Sequence, residues 1–160
     1  METIIWFLKD EDEKPQVKLF LQKLIRQAET DVAYAQLVEL IFQALEFLEK
    51  RGLSHSIREF FTTSIRSDSL YSIRVVKELE NHPPLLEFRV NWRGVGAFRA
   101  IFFRYMDDDV EVLVFTQAVL KNASFSLAFE QIVKVSEKQY LAFIKSPEKY
   151  ILTEGDDLDE

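Results

Sequence analysis

Residues 85–121 constrain the fold of this chain more than any other stretch, because they read as three consecutive β-strands. In the first, 85–91, apolar and polar side chains alternate, as in a strand with one buried face. The second, 98–105, is almost entirely apolar, as in the centre of a sheet, and the third, 110–119, is rich in β-branched residues. The stretch therefore predicts a small sheet around which the rest of the chain packs.

Short turns join these strands. The segment WRGVG at 92–96 contains two glycines, and three aspartates at 107–109 form a polar hairpin tip. Strands joined by such short turns pair antiparallel. A further short strand, ETIIWFL at 2–8, can add an edge or a neighbour. We therefore predict a small antiparallel sheet made of the N-terminal strand and a three-stranded meander.

Helices are predicted over most of the remaining chain, which makes the fold class α+β. A first helix begins near Asp12, and a second is capped by Thr30 or Asp31 and stopped by Gly52. Only a few residues separate the two, so they form an antiparallel hairpin packed on one face of the sheet. The second helix carries the most regular apolar stripe: Leu37, Leu40, Ile41, Ala44, Leu45 and Leu48.

The remaining segments complete one predicted domain over residues 1–152. Two short helical segments are predicted within 53–84, from apolar spacing at Ile57, Phe60, Phe61 and Ile65 and at Leu70, Ile73, Val76 and Leu79. A closing helix presents one apolar face and breaks near Pro147. The acid-rich segment 153–160 is predicted to be a disordered tail.

Composition excludes several classes of protein. The chain contains 48% hydrophobic residues and no cysteine, which suits one well-packed core and rules out a disulfide scaffold or a thiolate zinc site. The acidic run at 10–13 follows METIIWFLK too soon for a signal peptide, and no apolar run approaches the ~20 residues of a membrane helix. We expect a soluble, cytoplasmic protein with no membrane partner.

The net charge of −7 argues against indiscriminate nucleic-acid binding, but the charge is unevenly distributed. Residues 53–104 contain eight Lys and Arg against five Asp and Glu, whereas the segment 10–13 and the tail are acidic. Solvated surface explains the acidic ends. The mildly basic middle coincides with the first strands of the predicted meander.

Neither a metal nor a cofactor is predicted. His55 and His82 lie far apart in loop-like sequence, and both are interpreted as surface histidines. The consecutive aspartates at 107–109 cannot converge on one ion as alternate loop positions can. GVG at 94–96 lies between strands, with no helix after it to hold a phosphate.

Cationic side chains on the predicted strands are the chemistry that remains: Arg89, Arg99 and Lys121. An arginine inside a sheet is costly unless its guanidinium finds a partner or opens into a cleft. One interpretation is a structural ion pair of Glu87 with Arg89 or Arg99. The other is a phosphate-binding cleft, because guanidinium groups bind phosphate with two parallel hydrogen bonds.

The order of elements and three short segments resemble the RelE-type toxins of bacterial toxin–antitoxin systems, in their HigB-like, phage-related branch. VVKELENHPPLLEFRV at 75–90 resembles the branch's segment ending in "ELR", and FRAIFF at 98–103 resembles its "YRIxYF". VEVLVFTQAVLKNAS at 110–124 resembles its "LLHxFxKKTxK" segment. The resemblance is clearest over residues 75–140.

The resemblance implies a metal-independent ribonuclease that cleaves messenger RNA on the ribosome until a cognate helix-turn-helix antitoxin binds it. Arg89 matches the arginine of "ELR", Arg99 that of "YR", and Lys121 the first lysine of "KK". These three are the catalytic candidates: Arg89 and Lys121 would offset phosphate charge, and Arg99 would share that role or orient Glu87. The candidates for RNA binding are Trp92, Arg93, Arg104 and Asn122.

Some positions depart from the family pattern and keep a second function open. Asn122 replaces the second lysine, and Gln117 stands where the family has a histidine that would transfer a proton. Tyr105 or Tyr140 could take over proton transfer, although Tyr140 falls on an apolar helical stripe. The alternative is a non-enzymatic member of the same fold, which inhibits gyrase or only binds an antitoxin.

Overall fold

A five-stranded mixed sheet forms the centre of the molecule, which a computed structural model describes over residues 1–65, 69–122 and 126–151. Its strands are β1 (Glu2–Phe7), β4 (Val76–Glu78), β5 (Leu86–Trp92), β6 (Gly96–Asp107) and β7 (Val110–Lys121), in the spatial order β1-β7-β6-β5-β4. The meander β5-β6-β7 is antiparallel, as predicted. The prediction of an antiparallel sheet was wrong for β1, which pairs with β7 in parallel.

The parallel pairing of β1 follows from the helices that come after it. The chain leaves β1, passes through α1 (Gln16–Ala28) and α2 (Val32–Arg51), and returns to the sheet only later. Such a long crossover allows a parallel neighbour, which a tight turn would not. The register runs from Glu2 opposite Val110 to Phe7 opposite Phe115.

The predicted helical hairpin is present, with different limits at its start. The Asp10 carboxylate accepts hydrogen bonds from the backbone N–H of Asp12 and Lys14, at 2.9 and 3.0 Å, and so holds a turn that delays α1 to Gln16. Asp31 caps α2 by accepting from the N–H of Ala33 and Tyr34. Gly52 ends α2 with a φ of 78°, a conformation that favours glycine.

Two hydrophobic cores lie on opposite faces of the sheet. The first core joins α1 and α2 to one face, and it buries every residue of the predicted α2 stripe. The second joins α4 (Leu127–Lys145) to the other face, where Ile101 and Phe103 of β6 meet Val133 and Phe143. The sheet is therefore covered on both sides, which explains why β6 is apolar on both faces.

The prediction of two helical segments within 53–84 was wrong, because the single turn α3 (Leu53–Ser56) ends before the residues on which it was based. The chain there forms β2 (Phe61–Ile65) and β3 (Ser69–Ile73), which pair as an antiparallel two-stranded sheet. It then forms β4, which adds an edge strand next to β5. A short 3₁₀ turn at Pro147–Lys149 follows α4, and the predicted acidic tail lies outside the described residues.

No helix in the described part of the chain combines the length and the apolar character that crossing a membrane requires.

Candidate functional site

The three predicted catalytic cations lie on one face of the sheet, at the end where α4 begins. Arg89 of β5 is directly opposite Arg99 of β6, and Lys121 of β7 is opposite Ala97, two residues from Arg99. Side chains two residues apart on a strand share a face, so all three project toward the α4 side. Beyond the N-terminal end of α4, the sheet face that carries these three cations is polar, whereas the part of the same face under α4 is apolar.

Arg99 is held on three sides. Its side chain is only 10% exposed, and its Nε donates to Oε1 of Glu87 at 2.6 Å. Its Nη1 donates to Oδ1 of Asn91 at 2.8 Å and to the carbonyl of Phe98 at 2.9 Å. Burial lowers the pKa of the Arg99 guanidinium, and the charge of Glu87 opposes that shift. Of the two predicted ion pairs, the structure contains Glu87 with Arg99.

Arg89 and Lys121 are both partly exposed. The Nε of Arg89 donates to the carbonyl of Arg74 at 3.0 Å, which directs its side chain toward the segment between β3 and β4. The Nζ of Lys121 lies 5.0 Å from the centre of the Phe129 ring, a cation–π geometry that holds it at the start of α4. Arg89 is not paired with a carboxylate among the described residues.

A cleft of about 940 Å³, which we call the basic cleft, opens beside these cations. It lies between the N-terminal part of α2, the β2–β3 hairpin and the ends of β5, β6 and β7. Its described lining includes Arg93, Arg99 and Lys121 but no carboxylate, and it includes the aromatic rings of Tyr71 and Trp92. Cations beside aromatic rings are the combination that binds single-stranded nucleic acid.

Tyr71 ties the hairpin to the open edge of β5 and was missed in the sequence. Its hydroxyl donates to the carbonyl of Asn91 at 2.8 Å and accepts from the N–H of Asn91 at 3.0 Å. Burial raises the pKa of Tyr71, so the phenol stays protonated at neutral pH. The ring lies 6.2 Å from that of Trp92, whose Nε1 donates to Gln36 at 3.1 Å.

A second cleft of about 480 Å³, which we call the mixed cleft, lies on the other side of Arg99 and Lys121. Its lining also includes Glu87 and Arg89, together with His82 from the loop before β5. The Nδ1 of His82 is 2.8 Å from Oε1 of Glu137 on α4. Local sequence gives no signal for this pair, because its members are far apart in the chain and meet only through the fold.

Arg104 lies apart from the other predicted RNA-binding residues. It is on the α1–α2 side of the sheet, where its Nε donates to Oε2 of Glu111 at 2.6 Å. Oε1 of the same buried carboxylate accepts from Oγ1 of Thr3 at 2.9 Å and from the N–H of Leu53 at 3.0 Å. Arg104 therefore belongs to a structural network, whereas Trp92, Arg93 and Asn122 line the basic cleft.

The tyrosines proposed for proton transfer are part of the second core. The ring of Tyr105 lies 5.1 Å from that of Phe143, and the ring of Tyr140 lies 4.9 Å from that of Phe103. Gln117 donates to Gln139 at 2.9 Å, inside the contact between β7 and α4. None of the three lines either cleft.

In the described ranges, no three His, Asp or Glu side chains converge as a metal site requires. No family model, no curated protein and no solved structure matches this chain.

Proposed function

We propose that this protein is a metal-independent endoribonuclease, the toxin of a RelE/HigB-like toxin–antitoxin pair. It would act in the cytoplasm on messenger RNA at the ribosome and be neutralised by a helix-turn-helix antitoxin. The α1–α2 hairpin, the meander β5-β6-β7 and α4 follow β1 in the order expected of that fold. In this proposal β4 and the β2–β3 hairpin are additions to it.

The observation that carries the proposal is the shared wall between the two clefts. Arg99 and Lys121 line both clefts, and Arg89 lines the mixed cleft beside them. A phosphodiester at this wall meets cations on a sheet whose hydrogen-bonded strands hold them in place. The three residues come from three strands, so their meeting is a property of the register and not of one local motif.

Cleavage needs no metal when the ribose itself supplies the nucleophile. The 2′-oxygen attacks the neighbouring phosphorus, the bond from phosphorus to the 5′-oxygen breaks, and a 2′,3′-cyclic phosphate and a 5′-hydroxyl result. Arg89 and Lys121 would offset the charge that accumulates on the phosphorane. Arg99, with its Nε on Glu87 at 2.6 Å, would hold that carboxylate in place.

The basic cleft would hold the nucleotides next to the scissile phosphate. Its two aromatic rings offer surfaces on which bases can stack, which contributes roughly 1–3 kcal/mol per base in proteins that bind single strands. Arg93 is exposed at its rim and can contact a phosphate. A local cationic surface of this kind lets a protein of net charge −7 bind RNA at one place only.

The test is cleavage of a labelled single-stranded RNA by the purified protein in the presence of EDTA, together with induced expression in a bacterial host. We expect products with 2′,3′-cyclic phosphate ends, growth arrest, and loss of both effects with Arg89→Ala. Arg51→Ala, at the exposed end of α2, is the matched control and should change neither. Intact RNA together with normal growth would reject the proposal.

A non-enzymatic member of the same fold is the alternative, and the hydrogen bonds of Arg99 favour it. The guanidinium of Arg99 already makes three contacts within the protein, to Glu87, to Asn91 and to the carbonyl of Phe98, as a structural arginine does. On this alternative the protein inhibits gyrase or only binds an antitoxin. Inhibition of DNA supercoiling by purified protein that leaves RNA whole would support it.

A further inference from the structure

We infer that His82, held by Glu137, is the general acid of the mixed cleft and protonates the 5′-oxygen that leaves during RNA cleavage. The inference rests on the proposed ribonuclease function and names the proton donor for that reaction. The sequence alone indicates that His82 is a surface histidine. Where the family has a histidine, this chain has Gln117. The fold brings a histidine from a different element to the cations.

The backbone of His82 is fixed on a tight loop between β4 and β5. Its N–H donates to the carbonyl of Leu79 at 3.1 Å, and its carbonyl accepts from the N–H of Leu85 at 2.8 Å. Leu85 is 2% exposed and belongs to the core under α4. The imidazole is therefore carried by a loop that is hydrogen-bonded on both sides and anchored in the second core.

Glu137 sets the tautomer of His82. A carboxylate accepts hydrogen bonds, so the Nδ1 atom that lies 2.8 Å from Oε1 of Glu137 must carry the proton. The other ring nitrogen, Nε2, has no hydrogen-bond partner in the described ranges of the chain. A proton added at Nε2 gives the imidazolium, the form that can donate from that nitrogen.

His82 reaches the same cavity as the residues that would bind the phosphate. The mixed cleft is lined by His82 and by Glu87, Arg89, Arg99 and Lys121, which come from β5, β6 and β7. The side chain of His82 is 33% exposed, so it is open to solvent and can regain a proton between turnovers. No other histidine lines this cleft, because His55 lies on α3.

Each proton that moves during cleavage has a specific donor and acceptor atom. The 2′-hydroxyl proton passes to the carboxylate of Glu87, and the 2′-oxygen forms a bond to phosphorus. The bond to the 5′-oxygen breaks, its electron pair stays on that oxygen, and the proton on Nε2 of His82 neutralises it. Exchange with water then restores Glu87 and His82 to their starting protonation states.

The charged groups around His82 are mixed in sign. Glu137 contacts His82 directly, and the cleft lining adds Lys77, Glu78, Glu80 and Glu130 to the cations and Glu87 of the shared wall. Because several charged groups lie near the imidazole, a pH profile of cleavage would not report on His82 alone. The test therefore changes the leaving group of the substrate.

A substrate with sulfur in place of the 5′-oxygen tests the role directly, because a thiolate leaves without protonation. On ordinary RNA, His82→Ala should lose about 10²–10⁴-fold in cleavage rate, the range typical of a missing general acid. On RNA with the 5′-bridging sulfur, the same variant should cleave within about tenfold of wild type. Arg89→Ala should stay impaired on both substrates, since its role is charge neutralisation.

Glu137→Gln tests the positioning role, and His55→Ala is the matched histidine control. Glu137→Gln should slow cleavage of ordinary RNA by a smaller factor than His82→Ala and should likewise recover on the sulfur substrate. His55→Ala should match wild type on both. Recovery on the sulfur substrate also shows that a variant is folded.

The failures can be told apart. If wild type cleaves ordinary RNA and His82→Ala cleaves it equally fast, the contact of His82 with Glu137 only holds its loop against α4, and the inference is wrong. The inference is also wrong if the loss in His82→Ala persists on the sulfur substrate. If wild type cleaves neither substrate, the inference fails. If its induced expression also leaves growth normal, the proposed function fails as well.

Discussion

The Nε of Arg99 and the Oε1 of Glu87 are 2.6 Å apart, on adjacent strands, with both side chains 10% exposed or less. Removing one partner of a buried ion pair leaves the other charge uncompensated, which typically costs about 3–5 kcal/mol. We therefore expect Glu87→Ala to lower the free energy of unfolding by roughly that amount. Urea denaturation followed by circular dichroism measures it.

A double variant separates the pair from its surroundings. Glu87→Gln with Arg99→Met removes both charges, and we expect it to be more stable than Glu87→Ala alone, because no unpaired charge stays buried. A double variant as unstable as Glu87→Ala would mean that the shape of the site, and not the ion pair, is what stabilises it.

Arg89 and Lys121 should affect catalysis more than stability, because both are partly exposed on the surface of the sheet. Arg89→Ala and Lys121→Ala should each lower the rate of RNA cleavage by about 10²-fold or more, in the range seen when one donor to a developing oxyanion is removed. Their free energies of unfolding should change by less than about 1 kcal/mol. Single-turnover cleavage and urea denaturation give the two values.

A charge-conserving variant separates the charge of Arg89 from its hydrogen-bonding geometry. Arg89→Lys keeps the charge but loses the fork of donors, so it should recover only part of the rate. Full recovery would show that charge alone matters at this position. A loss of stability that equals the loss of activity in Arg89→Ala would place Arg89 among the structural residues.

Arg93 and Trp92 should govern RNA affinity through the basic cleft. Arg93→Ala should weaken binding of an RNA oligonucleotide and reduce the slope of log affinity against log salt by about 1, as expected for one lost phosphate contact. Trp92→Phe keeps an aromatic ring but removes the hydrogen bond to Gln36, so it should bind nearly as well as wild type. Fluorescence anisotropy over a salt series measures both.

Arg104→Ala is the control for affinity. It removes an exposed cation of equal charge that lies on the opposite face of the sheet, so it should leave the salt slope unchanged. Equal slopes for Arg93→Ala and Arg104→Ala would mean that RNA contacts no particular face of the protein.

Most of the sheet and both main helices could be predicted because their sequence periods are clear. The α2 stripe repeats at helical spacing, and Asp31 and Gly52 mark its ends with the residue types that caps require. The meander was equally clear, since its turns contain glycines and aspartates. The direction of β1 could not be predicted, because the sequence of an edge strand does not reveal which neighbour it pairs with or in which direction.

The region 53–84 was mispredicted because its apolar residues fit helical spacing by coincidence. Phe61 and Ile65 are four residues apart, which suits a helix, yet in β2 they face the same side as Thr63 at strand spacing. Thr62, Thr63 and Ser64 are poor helix formers, and that run was the signal for a strand. The error mattered, because the β2–β3 hairpin supplies Tyr71 and one wall of the basic cleft.

Glu111 predicts how stability depends on pH. Burial on its own would raise the pKa of this carboxyl, but hydrogen bonds from Leu53, Thr3 and Arg104 outweigh it, so the pKa is lowered from its usual 4.5. A carboxyl with a lowered pKa in the folded state stabilises the protein above its unfolded pKa, and that contribution is lost as pH falls through the folded value. The free energy of unfolding should therefore fall on acidification below about pH 4.5, as the unfolded Glu111 begins to bind a proton that the folded one excludes.

Glu111→Gln isolates this contribution from that of the other carboxylates. The variant cannot titrate at position 111, so its free energy of unfolding should fall less steeply than that of wild type between about pH 5 and pH 3. At pH 7 it should be less stable by about 1–3 kcal/mol, because three donors lose a charged acceptor. Denaturation at each pH, with Glu49→Gln on the exposed face of α2 as the control, measures the difference. Parallel pH profiles for wild type and Glu111→Gln would mean that this buried carboxylate is not a source of acid sensitivity.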